Sequence, residues 1–141
     1  MPGYNEYTNP LFGFTTLWPS SFSALPPATT GGGQEWASQY GQVVLNAYGD
    51  NNVFHYSPAQ DEAADMTGLS VVSYQHMSGN VVTVSGLKND MRTIVYQVDI
   101  VGPGSIDTLY WTYPTSEKKQ WDAAVTLTAR AFRPGDVDVS H

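Results

Sequence analysis

The sequence predicts an α+β domain: a twisted, mostly antiparallel sheet with a C-terminal helix packed across one face and a short acidic helix at its edge. Two observations carry this. Four strand-like runs follow one another through residues 69–77, 81–87, 92–101 and 106–113, and their connections are short enough for antiparallel hairpins. Directly after the last run, residues 116–132 place apolar side chains at helical spacing. A helix with one apolar stripe must bury it, and the sheet is the surface on offer.

In chain order, residues 1–8 are polar and expected to be loosely held. Asn9-Pro10 makes a turn, and Phe12, Phe14, Thr16 and Trp18 then alternate with Gly13, Thr15 and Leu17 until Pro19 closes a strand. Residues 20–33 contain Pro26-Pro27 and three consecutive glycines, a loop by composition. The glycines do not make a phosphate cradle. Gln34-Glu35-Trp36 follows them where such a loop needs Lys with Ser or Thr, and the carboxylate would repel a phosphate.

Residues 34–38 and 42–48 read as two strands around a turn at Gln39-Tyr40-Gly41, and residues 49–52 (Gly-Asp-Asn-Asn) as a second turn. Ser57 is placed to cap a short acidic helix over residues 58–66, with Pro58 in its first turn and Gly68 as its stop. In the 92–101 strand, Ile94, Tyr96, Val98 and Ile100 share one face, while Thr93, Gln97 and Asp99 share the other. One face is thus packed and the other more polar. After Pro114, Thr115 or Ser116 is expected to cap the C-terminal helix, whose stripe is Trp121, Val125, Thr128 and Phe132, widened by Ala124, Leu127 and Ala131. Trp121 and Phe132 are therefore expected to be buried against the sheet. Arg130 and Arg133 suit the last turn, and Pro134-Gly135 ends it, leaving residues 134–141 expected to be flexible.

The 141 residues make one domain, spanning 1–141, that is large enough to fold on an apolar core. No cysteine is present, which excludes disulfides, thiolate metal sites and cysteine nucleophiles. A net charge of −7 argues against nucleic acid and anionic lipid as partners. The charge is uneven: no Lys or Arg precedes Lys88, whereas Glu6, Glu35, Asp50, Asp61, Glu62 and Asp65 all do. The N-terminus carries no signal-peptide pattern and no run approaches the roughly 20 apolar residues of a membrane span, so no membrane insertion is expected.

Tyr7-Thr-Asn-Pro-Leu-Phe-Gly-Phe14, closed by Trp18-Pro19, resembles the opening of PsbP-like domains, the fold of the photosystem II extrinsic subunit: Tyr-x-Asn-x-x-aromatic-Gly-Phe, then a strand ending in Pro. Similar openings occur in bacterial lipoproteins and secreted domains. Leu109-Tyr-Trp-Thr-Tyr-Pro114, the helix after it and Ala131-Phe-Arg-Pro134 resemble the close of many uncharacterised bacterial domains. The resemblance implies a binding or accessory module at an extracytoplasmic location, periplasmic or secreted, if a leader or upstream domain precedes this stretch; otherwise the expectation is cytoplasmic. It carries over no catalytic residue.

No reaction motif stands in the chain. His55 and His76 are the internal histidines, and His55 precedes Asp61, Glu62 and Asp65, so either beside a carboxylate is a candidate general base. Their separation matches no metal signature, and no metal or cofactor is expected. No serine sits in a nucleophile elbow. The aromatics, four Trp and nine Tyr, are the richer signal. Most fill the space between sheet and helix, but tyrosines near turns suit recognition, because an aromatic face gives contact area at low entropic cost. Tyr40, Tyr48 and Tyr56 with Asp61, Glu62 and Asp65 are the candidate binding residues. The expectation is a non-catalytic binding module of the bacterial envelope or an export pathway, monomeric or weakly dimeric, with a protein, small-molecule or glycan ligand. The alternatives are a small hydrolase or isomerase using His55 or His76, and an intracellular adaptor whose acidic half meets a basic partner.

Overall fold

The computed structural model describes residues 3–141, so the expectation for Met1 and Pro2 lies outside the described residues. Tyr4–Thr8 (β1) pairs antiparallel with Thr15–Pro19 (β2) in a two-stranded sheet. The stretch read as polar and loose therefore includes an ordered strand. The turn between these strands gives a physical account of the Tyr-x-Asn-x-x-Phe-Gly-Phe opening. Asn9 is 1% exposed; its Oδ1 accepts from the N–H groups of Leu11 and Phe12 at 3.0 and 2.7 Å, and its Nδ2 donates to the Tyr7 hydroxyl and the Gly31 carbonyl, each at 3.0 Å. Gly13 supplies a φ of +82°, which lets the flanking Phe12 and Phe14 both turn into the core.

The main sheet has seven strands: Ser23–Ala24 (β3), Gly33–Ala37 (β4), Val44–Asn51 (β5), Val71–Ser78 (β6), Val81–Leu87 (β7), Thr93–Val101 (β8) and Ser105–Pro114 (β9). Their order is β3-β4-β5-β9-β8-β7-β6, and every neighbouring pair is antiparallel. The four sequential strands from β6 to β9 form the meander that their short connections demand. β5 then docks on the free side of β9. This pairing overturns the turn expected at residues 49–52: Gly49, Asp50 and Asn51 continue β5 opposite Asp107, Ile106 and Ser105. Turn-like composition lost to ladder hydrogen bonds and to the Phe12 ring, which lies where a Cβ of residue 49 would sit, 2.4–2.7 Å from it. Only glycine admits the ring so close.

One face of the sheet carries Trp36, Leu45, Ala47, Leu109, Trp111, Tyr113, Ile94, Val98 and Ile100, all buried. The β1–β2 hairpin and the helix Lys118–Ala131 (α2) cover it. Trp18 stacks on Trp36 with centroids 5.4 Å apart, and Phe14 meets Phe132 edge-on at 6.0 Å. Trp111 is fully buried, and its Nε1–H donates to Thr128 Oγ1 at 2.9 Å across the sheet–helix interface.

Two expectations for α2 are corrected. Neither Thr115 nor Ser116 caps it; Thr115–Glu117 forms a 3₁₀ turn with no side-chain cap, because Pro114 continues β9 in extended conformation right up to the turn. Phe132 is buried as expected, but Trp121 is only half-buried. It packs on Phe22 and Trp111 at the open edge where α2 begins.

Pro58–Thr67 (α1) lies on the opposite face, toward the β6 edge and against β6, β7 and β8. Ser57 caps it as expected: its Oγ accepts from Gln60 N at 3.2 Å, and Gln60 Oε1 accepts from Ser57 N at 2.9 Å, a reciprocal capping box. Met66 and Leu69 cover Val82, Val84 and Val101 beneath it.

The C-terminal residues, expected to be flexible, carry defined contacts. The Val137 carbonyl accepts from Gly104 and Ser105 N–H, both at 3.0 Å, and His141 exchanges two hydrogen bonds with the Asn51 side chain. No helix among the described residues is long and apolar enough to cross a membrane.

Candidate functional site: an acidic cleft under the short helix

Alternation along β5, β9 and β8 puts one polar strip on the α1 face. The registers align Tyr48 with Thr108 and Thr108 with Asp99, and they align Asn46 with Tyr110 and Tyr110 with Gln97. α1 crosses the end of this strip. Asp61 and Asp65 are four residues apart, so both lie on one side of the helix, and that side faces β8 rather than water. One oxygen from each of Asp61, Asp65 and Asp99 lies within 4.8 Å of the other two.

The third wall is the loop after β5. Asn52 is 5% exposed and pins it: Nδ2 donates to the carbonyls of Tyr56 (3.0 Å) and Gly102 (2.9 Å), and Oδ1 accepts from Tyr56 N at 2.9 Å. The loop then reverses at His55, whose φ of +54° few non-glycine residues adopt. That reversal brings Phe54 and Tyr56 together as a stacked pair, centroids 6.0 Å apart, with Phe54 77% exposed. The result is a cleft of about 410 Å³ with Tyr48, Asp50, Phe54, Tyr56, Asp61, Asp65 and Asp99 in its walls, within the range of small-ligand sites.

The electrostatics are lopsided. Among the described residues no Lys, Arg or His lines the cleft. Gln97 Nε2 donates to Asp65 Oδ1 at 3.2 Å and to Asp99 Oδ1 at 3.1 Å, and the Thr108 hydroxyl donates to Asp99 Oδ1 at 2.8 Å. Among the described residues these two side chains serve Asp65 and Asp99, and neither donates to Asp61. Burial, then hydrogen bonding and repulsion from Asp99, hold the carboxyls of Asp61 and Asp65 well above the ordinary aspartate range. Burial followed by the Asp99 charge raises Asp50. Burial raises the Tyr48 phenol too, with Asp99 and Asp50 adding to it, and the Tyr110 phenol rises through burial and then Asp65. With Tyr48, Asp50, Asp61, Asp65 and Tyr110 all held toward their proton-bound forms, the site is one that a positive charge would relieve.

The sequence-derived candidates are divided by this geometry. Tyr48, Tyr56, Asp61 and Asp65 line the cleft; Glu62 is half-buried on α1 outside its lining; Tyr40, 82% exposed, sits far along the chain fold in the β4–β5 turn, beside a separate hollow with Trp121. His55 and His76 are both exposed, and neither side chain is hydrogen-bonded to a carboxylate among the described residues. His76 stands on the edge strand β6 against Tyr74. Neither histidine therefore shows, among the described residues, the carboxylate partner that the general-base expectation named. Asp99 and Asp50 escaped sequence reasoning. The available signal was an aspartate inside Val98-Asp-Ile-Val101, the most apolar stretch of β8, where a carboxylate is retained only with partners.

No family model and no curated protein matches the sequence. The fold does have a counterpart among solved structures. The chain is similar to cyanobacterial PsbP (CyanoP) of Synechocystis sp. PCC 6803, with a TM-score of 0.67 over 95% of this chain and 94% of that one, at 9% sequence identity. The chain therefore has a PsbP-like fold, as the resemblance of its opening implied. At that identity the likeness is one of fold alone.

Proposed function

We propose that this chain is a non-catalytic binding module whose binding site is the cleft under α1, and that the site takes a positively charged group. One observation carries the reading: three carboxyl groups converge at the base of a cleft that has no basic residue among its described lining, beneath an exposed Phe54–Tyr56 pair. Carboxylates attract a cation, and aromatic faces at the rim add contact area and cation–π attraction to an organic one. Among the described residues, neither the His55 nor the His76 ring makes a hydrogen bond that would orient it as a base for a nucleophile. The PsbP-like fold and the lipoprotein-like opening support a place in the bacterial envelope or on an export route, where such a module would act as an accessory to another protein.

The test is an NMR titration of ¹⁵N-labelled protein with calcium chloride, tetramethylammonium chloride and a short oligolysine peptide, each against potassium chloride of matched ionic strength. Saturable shifts at the amides of residues 48–65 and 97–108 are the expected result. Shifts spread over the whole acidic surface, or none beyond the salt control, overturn the assignment of the site. Fractionation of the native host tests the location: recovery only with the cytoplasm removes the envelope reading.

A further inference from the structure

The charge that the cleft takes can be narrowed from the cluster itself. We propose that Asp61, Asp65 and Asp99 form a site for one hard divalent cation, of the Ca²⁺ or Mn²⁺ class, at the junction of α1 and β8. The inference rests on the reading that the cleft is the binding site and names what occupies its base.

The spacing comes first. Two oxygens on opposite sides of one calcium ion, bound at about 2.3–2.6 Å, are at most about 5 Å apart. The three aspartates offer oxygens within 4.8 Å of one another, so each pair lies within the span of a single ion. The second, independent observation is the state of the oxygens. Asp61 is only 6% exposed, yet its Oδ2 is buried with no N–H or hydroxyl donor among the described residues, and Asp65 Oδ2 likewise has none. Buried polar atoms are almost always satisfied, and an orphan oxygen on a carboxyl that belongs to a like-charged cluster calls for an explanation. A cation between the carboxylates satisfies both at once.

The donor set decides which cation. It is all oxygen: three carboxylates, with the Thr108 and Tyr48 hydroxyls and the Asp50 carboxylate in the same cleft. No imidazole or thiol is among the described lining, so the softer preferences of zinc and copper go unmet. The carriers are also rigid. Asp61 and Asp65 stand on a capped helix and Asp99 on a central strand, which holds the oxygens convergent before any ion arrives. The open side of the cleft leaves room for water to complete the shell, as hard divalent ions require. Because the ligands come from both α1 and the sheet, the ion would fasten the helix to the sheet.

The test uses chelator-treated full chain at neutral pH. Titration with Mn²⁺, read by loss of the free-ion EPR signal, should show one saturable site per chain with a dissociation constant below about 1 mM, the weak end of protein calcium sites. Excess Ca²⁺ should release the bound Mn²⁺, and 100-fold saturation with Ca²⁺ should raise the melting temperature, since a ligand that binds only the folded state stabilises it. Asp61→Asn with Asp65→Asn, and separately Asp99→Asn, should each weaken Mn²⁺ binding at least tenfold while circular dichroism stays native. Glu62→Gln, one position away on the same helix, should leave it unchanged. The proposal is overturned if no saturable site appears below about 1 mM, if the folded asparagine variants bind as the parent does, or if Glu62→Gln weakens binding equally. Should Mn²⁺ and Ca²⁺ fail while tetramethylammonium or oligolysine still shifts the cleft amides, the metal inference falls and the binding-site reading stands. If none of them perturbs the cleft, both fall.

Discussion

Replacing Gly49 with alanine should destabilise the protein, although alanine is ordinarily the better strand residue of the two. A Cβ built at Gly49 would meet three Phe12 ring atoms at 2.4–2.7 Å, against an optimal carbon–carbon separation of about 3.5–4.0 Å. The ring must therefore retreat by roughly 1 Å. It has little room: Phe12 is 5% exposed, even a Cβ at Gly32 would come within 3.3 Å of its ring, and the His141 ring is 5.2 Å away. Overpacking of this kind costs about 1–3 kcal/mol, and the lower chain entropy of alanine returns about 0.5–1 kcal/mol, so Gly49→Ala should lose about 1–2 kcal/mol net. Phe12→Ala alone should lose about 3–5 kcal/mol. With the ring gone the new methyl fits, so Gly49→Ala should become neutral or mildly stabilising in that background. The cycle then shows a coupling of about 2 kcal/mol. Urea unfolding followed by tryptophan fluorescence measures all four proteins. A Gly49→Ala variant as stable as the parent, or one with the same penalty in both backgrounds, would refute the argument that Phe12 is what makes residue 49 a glycine.

Thr128→Val should also destabilise, by about 1–2 kcal/mol, despite adding apolar surface, because it leaves the buried Trp111 N–H without its acceptor; a melting temperature at or above that of the parent contradicts this. Asp107 gives the pH dependence. It is fully buried on the α2 face, accepts from Gly135 N at 2.9 Å through Oδ2, and leaves Oδ1 unpartnered; burial pushes its carboxyl from the ordinary 3.8 up to about 6, with the Gly135 bond and the nearby His141 pulling the other way. Well below pH 4 the group is protonated whether the chain is folded or not. As pH rises from about 4 to about 6 the unfolded chain gives up this proton and the folded one keeps it, so stability falls, by up to about 3 kcal/mol, and stays lost above that window. Asp107→Asn should remove that part of the decline, and its stability relative to the parent should rise across the same pH interval in stepwise urea melts; parallel curves would show that Asp107 does not carry the effect.

What the sequence determined by itself is what short-range physics dictates. The β6–β9 meander follows from alternating apolar residues and short connections, and α1 follows from Ser57, Pro58 and its acidic first turn. The stripe of α2 was legible because a 3.6-residue period admits one buried face, and Phe132 and Thr128 are on it. Four of the cleft residues, Tyr48, Tyr56, Asp61 and Asp65, carried signals of their own, as tyrosines near loops and acids in a helix. The tertiary structure decided the rest. Residues 49–51 are a strand because β9 offers them a ladder and Phe12 covers the glycine, both contributed from far along the chain. Asp99 and Asp50 join the site because two antiparallel registers bring β5, β9 and β8 side by side beneath a helix that connects β5 to β6. A hydrophobic period states which way a side chain faces but not what stands opposite it. The partner of a buried carboxylate is set by strand register and helix crossing, which the chain settles only when it packs.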